Sequence, residues 1–209
     1  MGYRRTQRRL PAMLLVLLIS LTLSGQARST QSTQTFPKLD DALAAIRRTF
    51  QIRTGFELAA HESNGLPIAL DLSVKEAGRA LDALVAQRPA YAWRLGDGVY
   101  NLYPRRRSQN LSELRVQSFV VKELNLEEAS KAISKVPEFQ KWLSGHRLTR
   151  REFQVGPSWK PRLKVSLELK ELSLREVLNE MVKRFGVNQW VIVRYGGKME
   201  YVAIYFYEN

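Results

Sequence analysis

The sequence predicts an α+β protein made of two small βα-repeat modules, with helices packed on one face of mixed or antiparallel sheets. Two observations carry that prediction. The first is the stretch Val165–Gly186, which opens with Val165, Leu167 and Leu169 alternating against Ser166, Glu168 and Lys170. This is the period of a half-buried strand. Ser173 then stands three residues before Glu176, the spacing of a reciprocal capping box. Leu174, Val177, Leu178, Met181, Val182 and Phe185 follow at helical spacing, and Gly186 can take the left-handed conformation that ends the helix. The second observation is that this entry recurs. Leu172-Ser173-Leu174-Arg175-Glu176-Val177 is echoed by Leu124-Asn125-Leu126-Glu127-Glu128-Ala129 and by Leu72-Ser73-Val74-Lys75-Glu76-Ala77, at intervals of about 50 residues. Lys122-Glu123 and Lys170-Glu171 extend the likeness of the last two copies.

In chain order, the first 27 residues read as a secretory signal. Arg4, Arg5, Arg8 and Arg9 form a basic head, Leu10–Leu23 is an uncharged apolar run, and Ser24-Gly25-Gln26-Ala27 offers small residues for cleavage after Ala27. The run is short for a membrane span, which needs about 20 residues, so no span is expected once the signal is removed. Residues 28–35 read as a polar, disordered lead-in. Leu39, Leu43, Ile46 and Phe50 mark a helix expected to end near Thr54-Gly55. Phe56–Ala60 and Ile68–Leu72 read as strands, and Ser73–Gln87 as a capped helix. Ala90–Leu95 and Val99–Tyr103 form a hairpin through Gly96-Asp97-Gly98. These elements make a module at 36–104.

A basic, polar linker at 105–113 follows, with three consecutive arginines and no apolar period. The second module, 114–209, has a strand at Arg115–Lys122, a capped helix at Asn125–Val136 and a helical turn at Phe139–Leu143. Phe153–Val155 is a further short strand inside an irregular basic loop. Beyond Gly186, Trp190–Tyr195 and Met199–Tyr207 read as strands joined at Gly196-Gly197.

Composition excludes some chemistry. There is no cysteine, so disulfides, thiolate metal sites and cysteine nucleophiles are out. The two histidines, His61 and His146, fall in expected loops without neighbouring ligands. Asp40-Asp41 and Glu127-Glu128 sit at helix starts, where the macrodipole favours acids, and need no acid–base role. No Gly-x-Ser-x-Gly elbow and no phosphate-binding glycine loop occurs. No catalytic residue, metal or cofactor is therefore assigned. The signal head supplies four of the +13 formal charges, leaving +9 for the remainder. That charge is spread over helix faces and loops rather than gathered on one element, which points away from nucleic acid.

The first module resembles a known family. Pro37-x-Leu39-x-x-Ala42-Leu43, then Leu72-Ser73-x-x-Glu76-Ala77 with Ala80-Leu81-x-x-Leu84, are similar to the secretin and TonB short N-terminal domain. Tyr91-Ala92-Trp93-Arg94 and Asp97-Gly98-Val99-Tyr100-Asn101-Leu102 stand where that domain has its closing hairpin. Gly78 departs from the pattern, occupying an inward position where leucine is usual. The second half resembles a diverged βα module of the kind found in the periplasmic part of secretins. The resemblance implies a periplasmic, non-enzymatic binding or assembly module serving a secretion or TonB-type transport system.

Two surfaces are candidates for a partner. Tyr201, Tyr205 and Tyr207 share one face of the last strand, opposite Val202, Ile204 and Phe206. Such a strand can pair with an envelope protein or with a second copy of the chain. The loop bearing Trp159, Arg150 and Arg151 combines residue types favoured as interface anchors. The alternative reading is an exported enzyme or enzyme accessory acting on an anionic envelope polymer, suggested by the basic balance.

Overall fold

The computed structural model describes residues 33–58, 66–105, 110–150, 163–195 and 201–208. Expectations for the signal segment, for Phe153–Val155 and for the Gly196-Gly197 turn fall outside these residues. The fold is α+β, with mixed and antiparallel sheets.

The chain opens with β1 (Thr33–Phe36), which pairs antiparallel with β3 (Ile68–Asp71). The lead-in expected to be disordered is thus ordered from Thr33, because its backbone completes a two-stranded ladder. Helix α1 (Leu39–Phe50) buries Leu39, Ala42, Leu43 and Ile46. It stops at Gln51, which takes the left-handed conformation (φ 50°). The expected end at Thr54-Gly55 is corrected, since both residues lie inside β2 (Arg53–Leu58).

Helix α2 (Ala77–Gln87) begins later than its sequence echo suggests. Ser73 caps nothing; its N–H and hydroxyl both donate to Asp71, closing a local turn that competes with the helix. Strands β4 (Tyr91–Gly96) and β5 (Val99–Pro104) form the expected hairpin. Its two turn residues, Asp97 and Gly98, both have positive φ, as a tight hairpin requires.

In the second half the echo holds in backbone detail. Strand β6 (Arg115–Leu124) leads into α3 (Leu126–Ile133), and β8 (Val165–Ser173) into α5 (Leu174–Phe185). Asn125–Glu128 and Ser173–Glu176 are both complete capping boxes. Glu123 (φ 51°) and Glu171 (φ 54°) make the same left-handed step just before each cap. β6 and β8 pair antiparallel as a long ribbon, so the two units run head to tail. Between them lie α4 (Pro137–Gly145) and the two-residue strand β7 (Thr149–Arg150).

The largest sheet has the order β4-β5-β2-β9-β10-β7, where β9 is Gln189–Tyr195 and β10 is Tyr201–Tyr207. Strand β2 runs parallel to β5 on one side and to β9 on the other. This corrects the expectation that each half carries its own sheet: strands from both halves share one ladder. Alternation then sends successive side chains of the shared strands into two different cores. Val191 joins Phe56, Leu102 and Tyr91 under α1 and α2. Trp190, Ile192, Val202, Ile204 and Phe206 join α5, α3 and the β6–β8 ribbon. Each half closes one face.

Gly55 permits the junction. It pairs with Trp190 across the β2–β9 ladder, and a Cβ at position 55 would lie 2.3–2.5 Å from the indole. The ring therefore lies flat over the glycine, and its Nε1–H donates to Asn179 Oδ1 of α5 at 2.8 Å. Only a residue without a side chain leaves that space.

Candidate functional site

The tyrosine surface lies along β9 and β10. The pairing places Tyr195 opposite Tyr201 and Tyr205 opposite Val191, so the tyrosines share the face that α1 and α2 cover farther along the sheet. Tyr195 and Tyr201 stack with centroids 4.5 Å apart and planes at 22°. Tyr205 and Tyr207 lie 6.3 Å apart along the strand, and the Tyr195 and Tyr205 hydroxyls approach to 3.4 Å. Tyr205 packs partly against the α1–α2 core, while Tyr195 and Tyr207 remain 37% and 42% exposed. Burial, then the hydrogen bond to Tyr205, push the Tyr195 hydroxyl above the ordinary phenol range. Burial raises Tyr207 as well, helped by neighbouring Tyr205 and Asp40. These phenols are held as neutral donors and acceptors on an aromatic bed.

The opposite face of the same strand end carries a second group. Arg194, paired with Val202, sets its guanidinium 5.3 Å over the Trp142 ring. His146, one helical turn beyond Trp142, stacks on that indole with centroids 4.1 Å apart and bonds the Trp142 carbonyl through Nδ1 at 2.8 Å.

Of the residues expected to form a partner surface, Tyr201, Tyr205 and Tyr207 are together. Arg150 contributes backbone to β7, whose two residues pair with Tyr201 and Val202. Trp159 and Arg151 lie outside the described residues, so no surface is built from them. Tyr195, Arg194, Trp142 and His146 were missed. A signal existed for Tyr195: alternation along Trp190–Tyr195 puts it on the Val191 face, and antiparallel pairing then brings it to Tyr201. Trp142 and His146 are at i, i+4 spacing, which the shorter helical turn expected at Phe139–Leu143 did not reach.

A buried polar seam fills the other side of the sheet. Glu57 Oε1 accepts from the Leu111 N–H at 2.7 Å, and Oε2 accepts from the Ser112 N–H at 3.1 Å and hydroxyl at 2.5 Å. The end of the expected linker is thus a 3-10 turn, Leu111–Glu113, with Leu111 and Ser112 buried, rather than a solvated connection. Burial pushes the Glu57 carboxyl up, against the opposing pull of these hydrogen bonds and of Arg194. Glu113 beside them pairs with Arg175 of α5 and, at 3.7 Å, with Arg94 of β4.

Among the described residues no three His, Cys, Asp or Glu side chains cluster as a metal site would require, and no helix is long and apolar enough to cross a membrane. No protein-family model, curated protein or solved structure matches the chain.

Proposed function

We propose that this chain is a non-enzymatic, exported binding or assembly module that contacts an envelope protein of a secretion or TonB-type transport system. The observation that carries the reading is the tyrosine row on β9 and β10. Four phenols, two of them substantially exposed, form one stacked and one tilted ring pair rather than being buried singly. Tyr, Trp and Arg are the side chains most often found as anchors in protein interfaces, and Arg194 and Trp142 stand at the same end of the hairpin. The basic head and apolar run of the first 27 residues support export. The likeness of Pro37–Leu102 to the secretin and TonB short N-terminal domain supports the partner class.

Immobilised protein exposed to envelope extract tests the reading. A specific protein should be retained at both low and high salt, and a Tyr201→Ala/Tyr207→Ala double variant should lose it while remaining folded. The formal charge of +9 that remains once the four arginines of the signal head are set aside favours a second reading, attraction to an anionic envelope polymer. Such attraction collapses as salt rises. Recovery of polymer alone, and only at low salt, overturns the first reading in favour of the second.

A further inference from the structure

Glu57 is a buried acid that the partner surface does not use. It stands in mid-strand between Phe56 and Leu58, 2% exposed, facing away from the α1–α2 core. Its three donors all belong to the turn through which the chain enters its second half. They are dipoles, two amides and a hydroxyl, rather than charges. The charged groups that face this corner are Arg194 on β9, Glu113 on the turn itself, Arg175 on α5 and Arg94 on β4. Both of the last two are taken up by Glu113, so Arg194 is the one charge that joins the three donors in favouring the ionised form of Glu57, and burial opposes them all. Sealing an ionised carboxylate from water costs far more than sealing a neutral carboxyl, and at 2% exposure that cost outweighs the pull of the donors.

We propose that Glu57 and Ser112 form a proton-dependent latch, which holds the Leu111–Glu113 turn to the sheet more firmly when Glu57 is neutral than when it is ionised. Ser112 makes both states possible. Its hydroxyl donates to the carboxylate, and turns to accept when the carboxyl itself carries the proton. The two amide donors keep their oxygens either way. Undocking the turn lets water reach Glu57, which then ionises as an ordinary carboxylate, so docking and protonation reinforce each other. The upward push that burial exerts on this carboxyl has the matching sign. Docking therefore weakens as pH rises from the ordinary glutamate range to the raised midpoint, and is unchanged below that range.

Hydrogen exchange at the Leu111 and Ser112 amides of the full chain tests the latch, with intrinsic pH effects removed. Protection at these two amides should fall about tenfold for each unit by which the midpoint is raised. Glu57→Gln, which cannot ionise, should abolish that dependence. Protection that does not vary with pH in the wild-type protein overturns the proposal, as does an equal slope in the variant. Should the variant fail to fold, the wild-type Glu57 carboxyl can be titrated by carbon-13 NMR. A midpoint above the ordinary glutamate range supports the latch, and one at or below it overturns the latch.

Discussion

The two faces of the six-stranded sheet are closed by different means. Under α1 and α2 the core is almost wholly apolar: Leu43, Ile46, Phe56, Leu81, Leu84 and Leu102 are each at most 1% exposed. On the α5 face, leucines and valines share the interior with Glu57, Ser112, Asn179 and Arg175, each with a named partner. The difference follows from what each face must do. The first face packs helices on strands that are near in sequence, where volume and pattern suffice. The second seats a distant half of the chain, where apolar contact alone permits sliding. A satisfied polar contact has few equivalent positions, so it can specify how the pieces meet, at some expense in stability.

The α5 face depends most directly on Trp190. Its replacement by Ala should cost about 3–5 kcal/mol, because it empties a fully buried site and leaves Asn179 Oδ1 without its donor. Gly55→Ala attacks the same contact from the other strand and should cost about 1–3 kcal/mol or more by overpacking, read by chemical denaturation. A Gly55→Ala protein as stable as wild type would mean the ring moves aside freely.

Leu81 and Met181, each buried, sharpen the contrast between cores. Replacing either by Ala should cost about 2–5 kcal/mol. Because both cores line one ladder of strands, calorimetry should show a single transition lowered in both variants. Two separable transitions would restore independent modules.

Smaller effects are expected at the helix starts. Asn125→Ala and Ser173→Ala should each cost about 1 kcal/mol, since both side chains cap. Ser73→Ala should cost less, because its bonds serve a turn ahead of α2 rather than the helix. Equal losses at all three would show that the echo at Ser73 has a cap after all.

The smallest effect is on the tyrosine surface. Tyr195 and Tyr207 hold their protons more tightly in the folded chain, so the folded state binds more protons than the unfolded one in alkali. Stability contributed by these groups is intact below the ordinary phenol range and is lost as pH rises from that range through their raised midpoints. Ultraviolet titration should show at least two phenols ionising late, in step with unfolding.

Much of this was legible in the residues themselves. The capping boxes at Asn125 and Ser173 follow from side chains acting within three residues, and the αL steps at Glu123 and Glu171 accompany the shared Lys-Glu pair. Val202, Ile204 and Phe206 alternate against the tyrosines as expected. Two things were hidden, both long-range. That β2 lies beside β9 depends on Trp190 fitting over Gly55, and nothing local to either residue announces the other. Ser73 misled because its spacing to Glu76 matches a cap, while Asp71, two residues earlier, offers its hydroxyl and amide a nearer acceptor. Glu57 gave a faint sign, an acid between Phe56 and Leu58, whose meaning appears only once both faces of the strand are covered.

The parallel contact of Arg53–Leu58 with Gln189–Tyr195 also sets the order of events in time. A ribosome delivers the first strand long before its neighbour exists, so that edge stays open while most of the chain is still being made. Closure of so distant a loop is slow, and an unpaired apolar strand is prone to wrong partners meanwhile. For the export proposed above that delay would be an asset, since a sheet that cannot finish early leaves the polypeptide threadable.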